Sequence, residues 1–187
     1  MGLRFPPYGV NDLFNTPLWN LIQEKLNSTN LEFEDAEVLY SHRKNARKSK
    51  IALLTVSYLH VQLFHSIDFY NKQHWNYDLY GCEDIQYGIY SDGGHYDWHI
   101  DDSLEAQSLI RKLSMTVWLN DPGEYEGGEF DIEVKGNGPH RDLRYETLKL
   151  SKGSIVIFPS STWHRVRPVT SGIRKSLVTW FKGPPFR

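Results

Sequence analysis

The chain has 187 residues, with 21 Lys and Arg against 23 Asp and Glu and a formal net charge of −2. That length fits one domain with a sizeable core, and the near-neutral charge excludes a general electrostatic binder of nucleic acid. Six Trp, 11 Tyr and 9 Phe within 40% hydrophobic residues exclude intrinsic disorder, and a single cysteine, Cys82, excludes a disulfide framework and fits a reducing compartment.

Residues 1–7 hold two prolines and no apolar run of the signal-peptide kind, and no segment approaches the roughly 18 apolar residues of a membrane span. A cytoplasmic protein with no membrane partner is expected. Asn15-Thr16-Pro17 sets a capping residue ahead of a proline, and Leu18, Ile22 and Leu26 recur at i, i+4 and i+8, which predicts a helix from residue 17. Residues 31–40 alternate loosely and read as a strand. Arg43, Lys44, Arg47, Lys48 and Lys50 then place five cations in eight residues without an anion. Such a run reads as a solvated loop, or as a flap that handles an acidic partner. A longer periodic stretch over 51–70, with Leu54, Tyr58, Val61, Phe64 and Phe69 among polar residues, predicts a second helix.

From residue 84 the texture changes to short β-like runs at 85–90, 96–101, 113–120, 129–134, 154–158, 164–169 and 175–181. Turn signals such as Asp92-Gly93-Gly94, Asp121-Pro122-Gly123 and Lys152-Gly153 divide them. The pattern predicts a mainly β fold, a sandwich or barrel with the N-terminal helices packed outside it. One domain over 1–187 is expected, with residues 1–83 as helical support and 84–182 as the β core.

His95, Asp97, His99 and Asp101 fall at every second position, so an extended strand would place them on one face. A His-x-Asp pair plus a distant His supplies two imidazoles and one carboxylate, which leaves three open positions on an octahedral Fe(II). A structural zinc site would close its shell with four ligands, usually including thiolates, and only Cys82 exists. Two registers compete for the pair, His95 with Asp97 and His99 with Asp101, the first disfavoured by the turn at Gly93-Gly94. His164 is the candidate distant ligand. Arg174, Ser176, Val178 and Trp180 would share one face of a final strand, where a guanidinium and a hydroxyl suit a dicarboxylate. Asp102 reads as a solvated acid or hydrogen-bond partner, His140 as a loop residue, and Trp98 as an outward packing residue. His42, His60, His65 and His74 read as surface or satisfied core histidines.

Gly94-x-Tyr96-x-x-His99-x-Asp101, Arg111 through Asn120, Gly127-Gly128, Gly153-Ser154 and His164-x-Val166-x-Pro168-Val169-x-x-Gly172-x-Arg174-x-Ser176 resemble, in order and spacing, the iron- and 2-oxoglutarate-dependent dioxygenases. The likeness spans about residues 85–182 and is strongest to the prolyl 4-hydroxylase-like subfamily with its PKHD-type hydroxylases. It implies a double-stranded β-helix, or jelly-roll, with iron at one open end. It implies His99, Asp101 and His164 as the iron ligands, with no catalytic side chain beyond them. Arg174 would bind the distal carboxylate of 2-oxoglutarate, Tyr90 would contact that co-substrate, and Trp180 would line the same pocket. Trp118 stands where animal prolyl hydroxylases often place a tyrosine that donates to the carboxylate, so its indole N–H, or Ser176, takes that role.

The resemblance further implies Fe(II), 2-oxoglutarate and O2, admits L-ascorbate, and points to hydroxylation of an unactivated C–H bond, on a prolyl residue of a peptide or protein. A free amino acid or other small molecule is the alternative substrate. A nucleic-acid demethylase usually carries a second arginine six residues after the first, where Trp180 stands here. A non-catalytic jelly-roll module needs neither three metal ligands nor the Arg-x-Ser pair.

Overall fold

Thr16 opens the first helix as the sequence predicts. Its Oγ1 accepts from the Trp19 backbone N–H at 3.1 Å, and Pro17 takes the first helical position, where a missing N–H costs nothing. The computed structural model describes residues 8–36, 46–102, 108–135 and 144–186. In chain order the first elements are β1 (Gly9–Asp12), α1 (Pro17–Ser28), β2 (Glu34–Asp35), β3 (Arg47–Lys48), β4 (Lys50–Leu54), α2 (Ser57–His74) and β5 (Gly81–Cys82). There follow β6 (Ile85–Tyr90), β7 (His95–His99), β8 (Ile110–Trp118), β9 (Tyr125–Gly127), β10 (Phe130–Lys135) and β11 (Arg144–Leu148). The chain ends with β12 (Ser154–Pro159), β13 (His164–Val166), β14 (Val169–Gly172) and β15 (Arg174–Gly183).

A major antiparallel sheet runs β1-β12-β8-β15-β6-β4-β2, with β5 also on β15. A minor sheet runs β11-β10-β13-β7-β3, and β14 and β9 form a separate ribbon. The sheets face one another as in a jelly-roll and do not close into a barrel.

The central strands of the major sheet, β8, β12 and β15, are buried on both faces, while β1 and β2 at its edges are largely exposed and β4 is only partly buried. Side chains on β12 alternate: Ile155 and Ile157 join a core with Trp19, Ile22, Leu59, Leu63 and Ile67 of the helices, whereas Val156 and Phe158 join Trp118, Phe130 and Ile132 between the sheets. The helices therefore pack outside the sandwich, and the inner face of the major sheet is left to the site. No helix among the described residues is long and apolar enough to cross a membrane.

Five expectations change. The second helix begins at Ser57, because residues 50–54 form β4 against β6. Leu54 fits a helical and a strand period equally, and cross-strand pairing decides for the strand. The buried face of α2 is Leu59, Leu63, Ile67 and Asn71, while Tyr58, Val61 and Phe69 are exposed. The predicted strand over 31–40 is described only as the two-residue β2, and residues 37–40 lie outside the described set. The run 164–169 divides at Pro168, which lacks a ladder donor, as the chain leaves the minor sheet for the ribbon. The N-terminal third is thus not helical alone: β1 extends the major sheet on β12, and β3 edges the minor one on β7.

On the outer side of the minor sheet, Asp131 is wholly buried and ties three strands together. Its Oδ2 accepts from Arg165 Nε at 2.7 Å and Arg167 Nε at 2.9 Å, and its Oδ1 from Thr147 Oγ1 at 2.7 Å. Burial opposes its charge, but the Arg167, Thr147 and Arg165 donors outweigh that and lower its pKa below the ordinary carboxylate value. Stability from a depressed carboxyl is present above the unfolded value near pH 4 and is lost as pH falls below it. Asp131→Asn should destabilise the fold by about 2 kcal/mol at neutral pH. Because both guanidinium groups are about a third exposed, the loss stays below that of a wholly buried pair. In urea unfolding the gap between wild type and variant should narrow as pH falls from neutral into the acid range; an equal gap at neutral and acid pH would contradict this account.

Candidate metal centre

The pairing of β7 with β13 sets His99 directly opposite His164, with ring centroids 4.1 Å apart. Val166 pairs with Tyr96, so two residues of β13 span three of β7. This bulge cancels the simple alternation of β7. Tyr96 and His99 both turn inward, stacked at 3.5 Å with planes 13° apart, and Trp98 turns outward onto Tyr145 and Arg165. Asp97 is exposed, and His95 turns its Nδ1 to Gly93 O at 2.9 Å. That geometry gathers His99 and Asp101, and not His95 with Asp97, beside His164.

Asp101 lies two residues past β7. Its backbone N–H and that of Asp102 both donate to Ser160 O, at 2.9 and 3.0 Å, and the bend swings the carboxylate between the two rings. Oδ1 stands 3.6 Å from His99 Nε2 and Oδ2 stands 3.5 Å from His164 Nε2; the three donor atoms lie within 4.8 Å of one another. His99 Nδ1 is 2.8 Å from Asp97 O, and His164 Nδ1 is 2.9 Å from Thr162 O. Each Nδ1 therefore carries the ring hydrogen, and Nε2 offers a lone pair. Burial, with His99 adjacent, pushes His164 down to about 4, so it is neutral at physiological pH. Burial works against the charge of Asp101; as pH falls and the neighbouring imidazoles protonate, their positive charge and the Trp180 indole outweigh this and keep the carboxyl well below the ordinary range. An anion faced by two lone pairs is an unfavourable buried arrangement until a cation joins it. The donor set fits a divalent metal.

The same pocket has a complementary defect at its other end. Arg174 opens β15 and is 1% exposed; its Nη1 donates to Ser176 Oγ at 3.2 Å, while Nε and Nη2 have no hydrogen-bond partner. No carboxylate among the described residues pairs with it. Burial lowers its pKa against the opposing Tyr90 and Tyr125, and its guanidinium sits 5.5 and 5.3 Å from the Tyr90 and Trp118 ring centroids. Gly128 has φ +65°, and a Cβ there would lie 3.0 Å from Arg174 Cδ, so the glycine pair admits the arginine stem. An unpaired buried guanidinium calls for an anion.

Tyr90, Ser176 and Trp180 line the pocket with these groups, and Trp118 lies behind, against Phe130 and the guanidinium. Trp180 Nε1 is buried without a partner of hydrogen-bond geometry, yet close enough to Asp101 to support its charge. Three pocket-side features escaped the sequence reading. Tyr96 was visible only as a motif position; burial pushes its hydroxyl up to about 12. Tyr125 is buried beside Arg174, two residues before Gly127-Gly128. Arg47 lies 4.8 Å over Tyr96, so Arg47–Lys48 of the basic run form an edge strand beside β7, and Lys50 opens β4 in the major sheet. Residues 43–45, with His42 and His140, lie outside the described set. His60 and His74 serve the helical side, one bonded to Val56 O and one stacked on Tyr70, and Asp102 is a half-buried neighbour of Lys112 and Arg111.

The sequence model of the 2OG-Fe(II) oxygenase superfamily matches residues 85–182, just over half of the chain. The chain belongs to this superfamily. Its chemistry uses Fe(II), 2-oxoglutarate and O2, a cation, a dianion and a small gas that agree with the two unsatisfied ends of the pocket. The chain is 36% identical over 101 residues to a PKHD-type hydroxylase of Teredinibacter turnerae, covering 52% of this chain and 42% of that protein. It is 40% identical over 92 residues to one of Colwellia psychrerythraea, covering 48% and 38%. The match thus spans about two fifths of those relatives' length. Among solved structures, a Pseudomonas putida prolyl-4-hydroxylase superimposes with TM-score 0.68 at 18% identity over 96% of this chain and 94% of that one. A prolyl hydroxylase solved with a hypoxia-inducible-factor peptide fragment, from Trichoplax adhaerens, gives 0.69 at 18% identity over 94% and 83%. The jelly-roll is common to all three.

Arg174→Met should leave the ligand-free protein at least as stable as wild type, because it removes an uncompensated buried charge. It should also abolish the rise in Tm that 2-oxoglutarate gives the wild type. Gly128→Ala, which crowds the arginine stem, should diminish that rise. A full ligand-induced shift in the methionine variant would place the anion elsewhere.

Proposed function

We propose that His99, Asp101 and His164 hold Fe(II) and that Arg174, with Ser176, receives the distal carboxylate of 2-oxoglutarate. The chain would then hydroxylate an unactivated C–H bond on a prolyl residue of a peptide or protein. One observation carries this reading: a lone-pair cluster lacking a cation and a guanidinium lacking an anion share a single pocket. Bound Fe(II) would supply O2 activation coupled to decarboxylation of 2-oxoglutarate to succinate.

The chain's own part is positional. The Nδ1–H bonds to Asp97 and Thr162 carbonyls hold both imidazoles in the tautomer that presents Nε2. Trp180 steadies the Asp101 carboxylate, and Tyr90 and Trp118 wall the guanidinium so that a carboxylate meets it away from water. Tyr96, Phe158 and Phe130 pack the rings, with Phe158 4.7 Å and Phe130 5.5 Å from His164. The peptide preference draws support from the prolyl hydroxylase neighbours, one of them solved with a peptide. A reducing, cytoplasmic setting accords with Cys82, whose thiol pKa burial raises, which disfavours the reactive thiolate.

Incubation with Fe(II), 2-oxoglutarate and separate pools of peptides, proteins and free amino acids, read by succinate release and a +16 mass shift, identifies the substrate class. Asp101→Ala should abolish succinate release while the metal-free variant keeps the wild-type circular dichroism. Release at the wild-type rate from that variant would refute the ligand assignment.

A further inference from the structure

Asp101 sits past the end of β7, on irregular backbone whose N–H is held by Ser160 O and whose carbonyl lies outside the strand ladder. Behind it, and outside the pocket lining, lies a charged pair that the chemistry above does not use. Arg111, near the start of β8, donates from Nε to Glu83 Oε1 at 3.0 Å and from Nη2 to Glu83 Oε2 at 2.6 Å. Its remaining arm, Nη1, donates to the backbone carbonyl of Asp101 at 3.3 Å. Its Cζ lies 3.8 Å over the Trp180 ring, the same indole that supports the Asp101 carboxylate. Glu83 is itself fixed to β15: its N–H donates to Trp180 O at 2.9 Å, and its carbonyl accepts from Thr179 Oγ1 at 2.8 Å.

We propose that the Glu83–Arg111 pair is a positioning element that sets the metal-facing carboxylate of Asp101. This rests on the assignment of Asp101 as a ligand. The bidentate fork removes the torsional freedom of the guanidinium, so one rigid plane both holds the Asp101 carbonyl and presses Trp180 toward its carboxylate. The two side chains are each about a quarter exposed, so solvent screening limits what the pair contributes to overall folding. Its value is therefore in geometry, and outer residues that orient a ligand typically change metal affinity by about 10–100-fold. Arg174 lies at the far end of β15, beyond the reach of this pair.

The experiment uses Co(II) as a redox-stable probe, titrated into the full chain and followed by visible absorption, whose intensity reports coordination geometry. Glu83→Gln and Arg111→Lys should each weaken Co(II) binding at least tenfold and alter the band shape. Their Tm should stay within about 3 °C of wild type, and their 2-oxoglutarate half-saturation at saturating metal within about twofold. Co(II) affinity unchanged in both variants would overturn the proposal. So would a large fall in Tm with metal and 2-oxoglutarate constants moving together, the mark of a merely structural pair. Wild-type protein that fails to bind Co(II), or His99→Ala that binds it equally well, would instead refute the ligand assignment.

Discussion

The pairing of β7 with β13 is the constraint on which the site rests. Opposing His99 with His164 across one ladder brings two imidazoles together without any long-range accident of loop placement. The bulge beside them then turns Tyr96 inward as a packing plate for His99 and sends Asp97 and Trp98 away. A register slip of one residue would exchange the two faces and dismantle the cluster. The Asp131 cluster on the outer side of the same sheet resists such a slip, since its partners Arg165 and Arg167 flank Val166 on β13.

The pocket stores two defects of opposite sign. At one end, acceptors face each other; at the other, a guanidinium is shut from bulk solvent and meets no carboxylate among the described residues. Each is tolerable because the surrounding sheets over-determine the backbone, and each is relieved by a different component of the reaction. Such a site is built to be completed by its ligands, and the walls of Trp118, Phe130 and Phe158 raise the strength of every contact made there by excluding water.

Much of this was legible in the sequence because the residues concerned have few other uses. His99-x-Asp101, a lone His164 before a β run, and Arg174-x-Ser176 each announce chemistry by type and spacing, and all converge in one pocket. The strand pattern after residue 84 was readable from its turns. The bulge in β7 was not, since an extra residue leaves no compositional mark and inverts the very alternation used to group His95 and Asp97 with His99. The buried face of α2 was misread because Tyr58, Val61 and Phe69 are apolar yet exposed, and hydrophobicity alone does not say which side meets the sheet. Arg111 stood in the sequence only as the start of a motif and Arg47 only as one cation of the basic run, because a cation's role over an aromatic ring depends on tertiary placement.

The double burial of β15 has a further meaning. Arg174, Ser176, Val178 and Trp180 look into the pocket, while Leu177 and Phe181 belong to the core beneath the helices. Cohesion and chemistry are thus assigned to opposite sides of one ribbon and interleave along it. From Arg174 to Phe181, before the register shift at Lys182, the parity of a position tells which of the two a change disturbs: even numbers address reactivity, odd numbers address folding. Drift can then retune the pocket without loosening the scaffold, a separation that accords with a fold kept recognisable at 18% identity.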